Sequence, residues 1–126
     1  DGLILNKYDG YMRKWVVEYD GRQHIEIVEY WGGLDDFIIR AKCDAIKNKY
    51  CEDNEISLIR IPHMVKTQEE IDSYLEDKFY NSTFEELVEH NKNLEKKQQQ
   101  VIRGYKNKLE ELAKKELKEV IHILKF

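Results

Sequence analysis

The sequence predicts an α/β chain of the α+β kind: a mixed β-sheet with flanking helices, followed by a long C-terminal helical extension. Three observations carry this. The single proline, Pro62, and five of the six glycines fall before residue 63, so the turns are confined to the first half. Short apolar/polar alternations of strand period occur only there. From Thr67 onward the apolar residues recur at the 3/4 spacing of helices. The boundary sets a core over 1–66 and an extension over 67–126.

Taken in order, Gly2–Asn6 is a first strand, closed by Asp9-Gly10, a dipeptide suited to the positive φ angles of a tight hairpin. Met12–Asp20 is a second. Its alternation puts Trp15, Val17 and Tyr19 on one face and Val16, Glu18 and Asp20 on the other. A third strand is expected over His24–Tyr30. Gly32-Gly33 then opens a helix from Leu34 to Tyr50, with Phe37, Ile38, Ala41, Ala45 and Ile46 apolar and Asp36, Arg40, Asp44 and Lys47 as a charged stripe. Cys43 and Cys51 read as buried helix residues. Ile56–Pro62 is a buried strand that proline ends. Thr67-Gln68-Glu69-Glu70 and Thr83-Phe84-Glu85-Glu86 are capping boxes, each starting a helix.

Composition narrows the function. The chain has 126 residues, 41% hydrophobic and 37% charged, which suffices for one domain and an appended element. No apolar run reaches the roughly 18–20 residues of a membrane span, so no membrane partner is expected. Two cysteines without CxxC spacing exclude a disulfide scaffold and a zinc knuckle, and point to an intracellular protein. The chain opens at Asp1 without Met and reads as a piece of a longer parent protein. Residues 1–81 hold 11 basic and 17 acidic residues, residues 82–126 hold 10 and 8. Such a balance does not grip nucleic acid by phosphate contacts alone. It suits carboxylates that hold a metal, or a solvated acidic surface.

Glu18 and Asp20 concentrate the chemistry. Two apart on one strand, their carboxylates leave the same face and repel unless a cation stands between them, and magnesium or manganese suits such oxygen ligands. Gly21 follows directly, then Gln23 and His24, which a turn can bring round to the acids. His24 is then a candidate proton-transfer group near neutral pH.

The runs VVEYDGRQH (Val16–His24), YWGG (Tyr30–Gly33), RAKCDAIKNKYC (Arg40–Cys51) and ISLIRIP (Ile56–Pro62) occur in an order that resembles the PD-(D/E)XK nuclease superfamily. More narrowly, they resemble its branch of very-short-patch-repair-like and EDxHD homing endonucleases. The resemblance spans residues 1–62. It implies a restriction-endonuclease-like core and magnesium- or manganese-dependent hydrolysis of DNA phosphodiesters. It makes Asp1, Glu18 and Asp20 the metal ligands and Glu18, Asp20, Gln23, His24, Asp44 and Lys47 the site residues. Where the family has a lysine two positions after the strand glutamate, this chain has Asp20, so the base or charge-stabilising role falls to His24, Gln23 or Lys47. Asp9 is a rival ligand, its hairpin role being the other reading. The alternative is a catalytically silent nuclease-like module that binds DNA or scaffolds.

Trp15, Trp31, Tyr19 and Phe37 read as packing residues. Arg60, between Ile59 and Ile61, points either to Glu18 or to a phosphate backbone. In the extension, Phe84, Leu87, Leu94, Val101, Tyr105 and Leu112 form a seam with Asn91 and Gln98 within it. Polar seam residues fix register in two-stranded coiled coils, so a homodimer through 83–126 is expected, with a fold-back at Gly104 as the second arrangement.

Overall fold

The computed structural model of the chain describes residues 2–8, 12–28 and 32–125, and side-chain surroundings from residue 13 onward. It is an α+β arrangement: β1 (Gly2–Tyr8), β2 (Met12–Tyr19), a 3₁₀ turn (Arg22–His24), α1 (Gly33–Asp53), β3 (Ile56–Ile61), α2 (Gln68–Asn81) and α3 (Phe84–Leu124). The strands form one mixed sheet in the order β1-β2-β3. β1 runs antiparallel to β2, with Gly2 opposite Glu18. β3 runs parallel to β2, pairing Trp15 with Ser57, Val17 with Ile59 and Glu18 with Arg60. The crossover between the two parallel strands contains α1, as a parallel connection requires. Asp1, the Asp9-Gly10 turn, Tyr30 and Trp31 lie outside the described residues.

The alternation read from β2 sorts the two faces of the sheet. Trp15, Val17, Ile59 and Ile61 form a buried cluster with Leu87, against which Ile71, Tyr74, Leu75 and Phe79 of α2 pack. The Trp15 and Phe79 rings lie 4.6 Å apart, and the Arg13 guanidinium sits over Trp15 at 4.6 Å. A second cluster joins Phe37 and Ala41 of α1 to Ile102 of α3, with Ile27, Leu34, Ile38 and Val101 around it.

Both capping boxes form: Thr67 accepts from the Glu70 amide and Thr83 from the Glu86 amide. These contacts satisfy donors at the open ends of α2 and α3. At the start of α1, Gly32 sits at φ 90°, where a side chain is strained and a Cβ would collide with Asp36.

The structure corrects several expectations. The strand over His24–Tyr30 is absent from its described part, residues 24–28. The amides of His24, Ile25 and Glu26 turn back onto the carbonyls of Gly21 and Arg22, so they are not offered to a neighbouring strand. Ile25-x-Ile27 was too short an alternation to outweigh that turn; Ile27 packs on the Phe37 cluster instead. α1 extends three residues past Tyr50, its Cys51 is buried, and Cys43 is exposed.

The inner face of α1 is Phe37, Ala41, Asp44, Asn48 and Cys51, while Ile46 is exposed. Asp44 therefore leaves the solvated stripe and enters the core. α3 continues unbroken through Gly104, so the fold-back does not form. Asn91 and Gln98 are buried within the chain's own core, where they bond β3, α1 and the 3₁₀ turn. About five turns of α3 cover the sheet and α1; from Arg103 on, all described residues but Tyr105 are exposed.

Candidate functional site

The C-terminal ends of the parallel strands β2 and β3 carry Glu18, Asp20 and Arg60. Because the parallel register pairs Glu18 with Arg60, both side chains leave the same face of the sheet, toward α1. The backbone continues that register past the strand end: the Asp20 amide donates to the Ile61 carbonyl at 2.8 Å. Gly21 follows in an extended conformation, with the Gln23 side-chain amide lying over it. The 3₁₀ turn then carries His24 inward, to a buried position.

Arg60 is the centre of the cluster. Its Nη1 donates to Asp20 Oδ1 at 2.9 Å and to Glu18 Oε2 at 3.4 Å, and lies 3.5 Å from Asp44 Oδ1. Its Nε donates to Asn48 Oδ1 at 2.9 Å, and its Nη2 to the Asp44 carbonyl at 3.4 Å. Lys47 adds a second cation, donating to Glu18 Oε1 at 2.9 Å from a half-exposed position. Of the two readings of Arg60, the acidic one holds. The guanidinium is buried and spent on carboxylates.

His24 and Asp44 form the second part. His24 Nδ1 stands 2.6 Å from Asp44 Oδ2, and 3.8 Å from Asp20 Oδ1. Gln98 closes the cluster from α3. Its Nε2 donates to Asp44 Oδ2 at 2.7 Å and to the His24 carbonyl at 3.0 Å. Asp44 and Gln98 are each 1% exposed.

The two buried aspartates titrate in opposite senses. Burial pushes the Asp20 carboxyl above its ordinary value, outweighing Arg60 and His24, with the Asp44 charge adding to the push. Burial also acts to raise Asp44, but the His24 hydrogen bond, the Arg60 charge and the Gln98 hydrogen bond together hold it below its ordinary value. Asp44 is a fully compensated anion; Asp20 is under-compensated.

Asp20 and Arg60 also line a cleft of about 920 Å³ between the strand ends and α3, with His63, His90, Lys96 and Lys97 among its other walls. Ligands of open α/β sheets commonly bind outside the carboxyl ends of strands, which is where this cleft lies. Burial, with the nearby Lys78 and Lys97 charges, holds His90 below the usual histidine value.

Of the residues expected at a site, Glu18, Asp20, His24, Asp44 and Lys47 come together around Arg60. Gln23 does not join them, since its amide lies over Gly21. Asp1 and Asp9 lie outside the described residues. Sequence reasoning missed Arg60 as the hub, Asn48 as its support and Gln98 as the support of Asp44 and His24. A charged residue inside the apolar run ISLIRIP was the available signal for Arg60, because a buried guanidinium demands acids.

The donor set bears on a divalent ion. Among the described residues no group of three or more His, Cys, Asp or Glu side chains is arranged to hold a metal, so a preformed cage such as zinc requires is not there. Magnesium asks for less: it commonly takes one or two carboxylates and completes its shell with water and substrate phosphate. Glu18 and Asp20 fit that pattern, and Arg60 Nη1 is a cation already shared between them.

What the fold and cluster define is a small α+β chain with a buried ionic site at the ends of two parallel strands. No protein-family model, curated protein or solved structure matches it.

Proposed function

We propose that this chain is a metal-dependent endonuclease that hydrolyses DNA phosphodiester bonds on a restriction-endonuclease-like core. One observation carries the reading. Five residues singled out from two separate sequence segments (Glu18, Asp20, His24, Asp44 and Lys47) meet in one cluster, and its Asp20 lines a cleft. A resemblance arising by chance does not require its residues to converge.

Glu18 and Asp20 would hold a magnesium or manganese ion, with Asp1 the third candidate ligand. Such an ion supplies Lewis-acid polarisation of the phosphate and of water. The chain's own residues do the rest. Asp44 takes the Nδ1 proton side of His24, which leaves the Nε2 lone pair free to accept a proton from the attacking water. Gln98 holds Asp44 in place for that task. Arg60 and Lys47 balance the excess charge of three clustered carboxylates.

Nicking of supercoiled plasmid with and without Mg²⁺ tests the proposal. Wild-type chain should nick only with the ion, and Asp20→Asn should abolish nicking while the far-UV circular dichroism stays unchanged. His24→Ala should lower the rate by about 10²–10⁴. Nicking by Asp20→Asn under magnesium would remove the site assignment.

A second reading, the catalytically silent nuclease-like module, is favoured by Arg60, which already bridges Glu18, Asp20 and Asp44. Under that reading Mg²⁺ raises neither melting temperature nor nicking, and DNA binding survives in EDTA.

A further inference from the structure

The cleft beside Asp20 differs in character from the cluster at its end. Its wall toward the strand ends is Ile25, Pro62 and Met64, and its wall on α3 includes Leu94 and Val101, so an apolar trough runs away from the carboxylates. Lys96 and Lys97 border it, and neither makes an ion pair among the described residues, whereas Arg60 and Lys47 are both held by acids. In a chain of net charge −4, these two ammonium groups put positive charge beside the apolar trough. Two imidazoles, His63 and His90, are also among the lining residues.

An apolar trough with cations on its border matches a polymer that carries flat apolar faces and regularly spaced anions. Single-stranded polynucleotide binding combines these two elements, a basic track for phosphates and surfaces for unstacked bases. A regular duplex hides its base faces and offers only phosphates and groove edges, so it has nothing to place on Ile25, Met64 and Leu94. The volume, about 920 Å³, lies at the upper end of the roughly 300–1,000 Å³ of sites that enclose small organic ligands. It suits one or a few nucleotides, not a double helix.

We propose that the cleft binds an unpaired stretch of polynucleotide, with bases on the Ile25/Met64/Leu94 trough and phosphates on Lys96 and Lys97, so that the strand reaches Asp20 already separated from its complement. The inference deepens the endonuclease reading by naming the form of its substrate, and it rests on that reading only for what happens at Asp20; the binding itself does not require cleavage.

Fluorescence anisotropy of the full chain in EDTA tests binding apart from catalysis. Three labelled probes are compared: a dT oligomer, an rU oligomer and a blunt hairpin duplex. An oligothymidylate or oligouridylate should bind at least about tenfold tighter than the duplex, and the dT and rU arms tell a DNA from an RNA strand. Lys96→Ala and Lys97→Ala should each weaken binding and reduce the salt slope by about 0.7 for a single strand. Leu94→Ser, half-buried at the trough and outside the ionic cluster, should weaken the single-strand probes several-fold and leave the weak duplex signal unchanged.

Equal or tighter duplex binding overturns the proposal, as does single-strand binding indifferent to both Leu94→Ser and the lysine variants. These outcomes leave the nuclease reading to the nicking assay. Conversely, single-strand binding by a chain that never nicks upholds the cleft and sinks the catalysis.

Discussion

One helix behaves in two opposite ways along its length. Between residues 84 and 102, α3 buries two amides, Asn91 and Gln98, as completely as it buries Leu87 and Ile102. Beyond Arg103 it exposes Leu109, Leu112, Leu117, Val120, Ile121, Ile123 and Leu124. The inner half hides polar groups and the outer half shows apolar ones. Hydrophobicity alone predicts the reverse at most of these positions.

The difference lies in what stands opposite. Facing the inner half are buried acceptors: the Leu58 carbonyl takes the Asn91 amide, and Asp44 and the His24 carbonyl take Gln98. An apolar side chain at either position would take a hydrogen bond from these acceptors, at about 1–3 kcal/mol for each group left unsatisfied. Beyond Arg103 every described residue but Tyr105 is exposed, so water can meet most of what the outer half presents.

Substitutions can break this contrast in a graded way. The largest effect is expected at the hub that Gln98 serves. Arg60→Met leaves three clustered carboxylates without their shared cation, and removing one partner from a buried ionic group costs about 3–5 kcal/mol. Urea denaturation should show the loss, and Asp20→Asn in the same chain should recover part of it. Recovery of nothing would mean that Asp20 and Arg60 are not coupled.

Gln98→Leu comes next, with a loss of about 1–3 kcal/mol despite the gain in hydrophobicity. An unchanged or higher stability would show that the amide is dispensable. At the other extreme, Leu112→Ser in the outer half should change the stability of the monomer by no more than about 0.5 kcal/mol. A loss near that of Gln98→Leu would mean that the outer half has a partner within the chain.

The smallest and sharpest effect is on acid stability. Asp44 is held below its ordinary value of 3.8, so in acid the unfolded chain takes up a proton that the native chain resists. The stability Asp44 contributes is complete above that value and is lost as pH falls through it toward the lower native value. Asp20 is raised from the same reference and works oppositely, favouring the native state at low pH and losing that contribution as pH rises. Thermal melts between pH 6 and 3 should therefore fall less steeply for Asp44→Asn than for wild type, and more steeply for Asp20→Asn. Parallel curves for all three would contradict both shifts.

Much of the framework was legible in the residue order, and for local reasons. β2 alternates over enough residues to separate its faces, so Glu18 and Asp20 were correctly paired on one side. The two Thr-x-x-Glu boxes announced α2 and α3 because a cap needs only four consecutive residues. The clustering was legible where a resemblance or a short spacing linked its members, as for Asp20 and His24.

The supports of that site were not legible. Asp44 was named through the resemblance, but the periodicity alone left it in a solvated charged stripe, and its burial shows only once Arg60 and Gln98 are placed beside it. Asn91 and Gln98 fall on a continuous heptad-like seam, and nothing nearby distinguishes an amide that serves a partner helix from one that serves residues dozens of positions away. The strand expected at His24 failed for a related reason. Its local turn bonds to Gly21 and Arg22 outweighed a two-isoleucine alternation that any short segment can show by accident.

The bond from Gln98 to the His24 carbonyl joins residues 74 apart, and the bond to Asp44 spans 54. Closures this long come late in folding, because the intervening chain must lose its freedom before either contact is made. On the ribosome the order is stricter still. At roughly 5–20 residues per second, His24 and Asp44 are made several seconds before Gln98 exists. Until that residue emerges, the nascent chain holds an acid cluster whose last donor has not been synthesised, and the cluster is completed only when translation has passed Gln98.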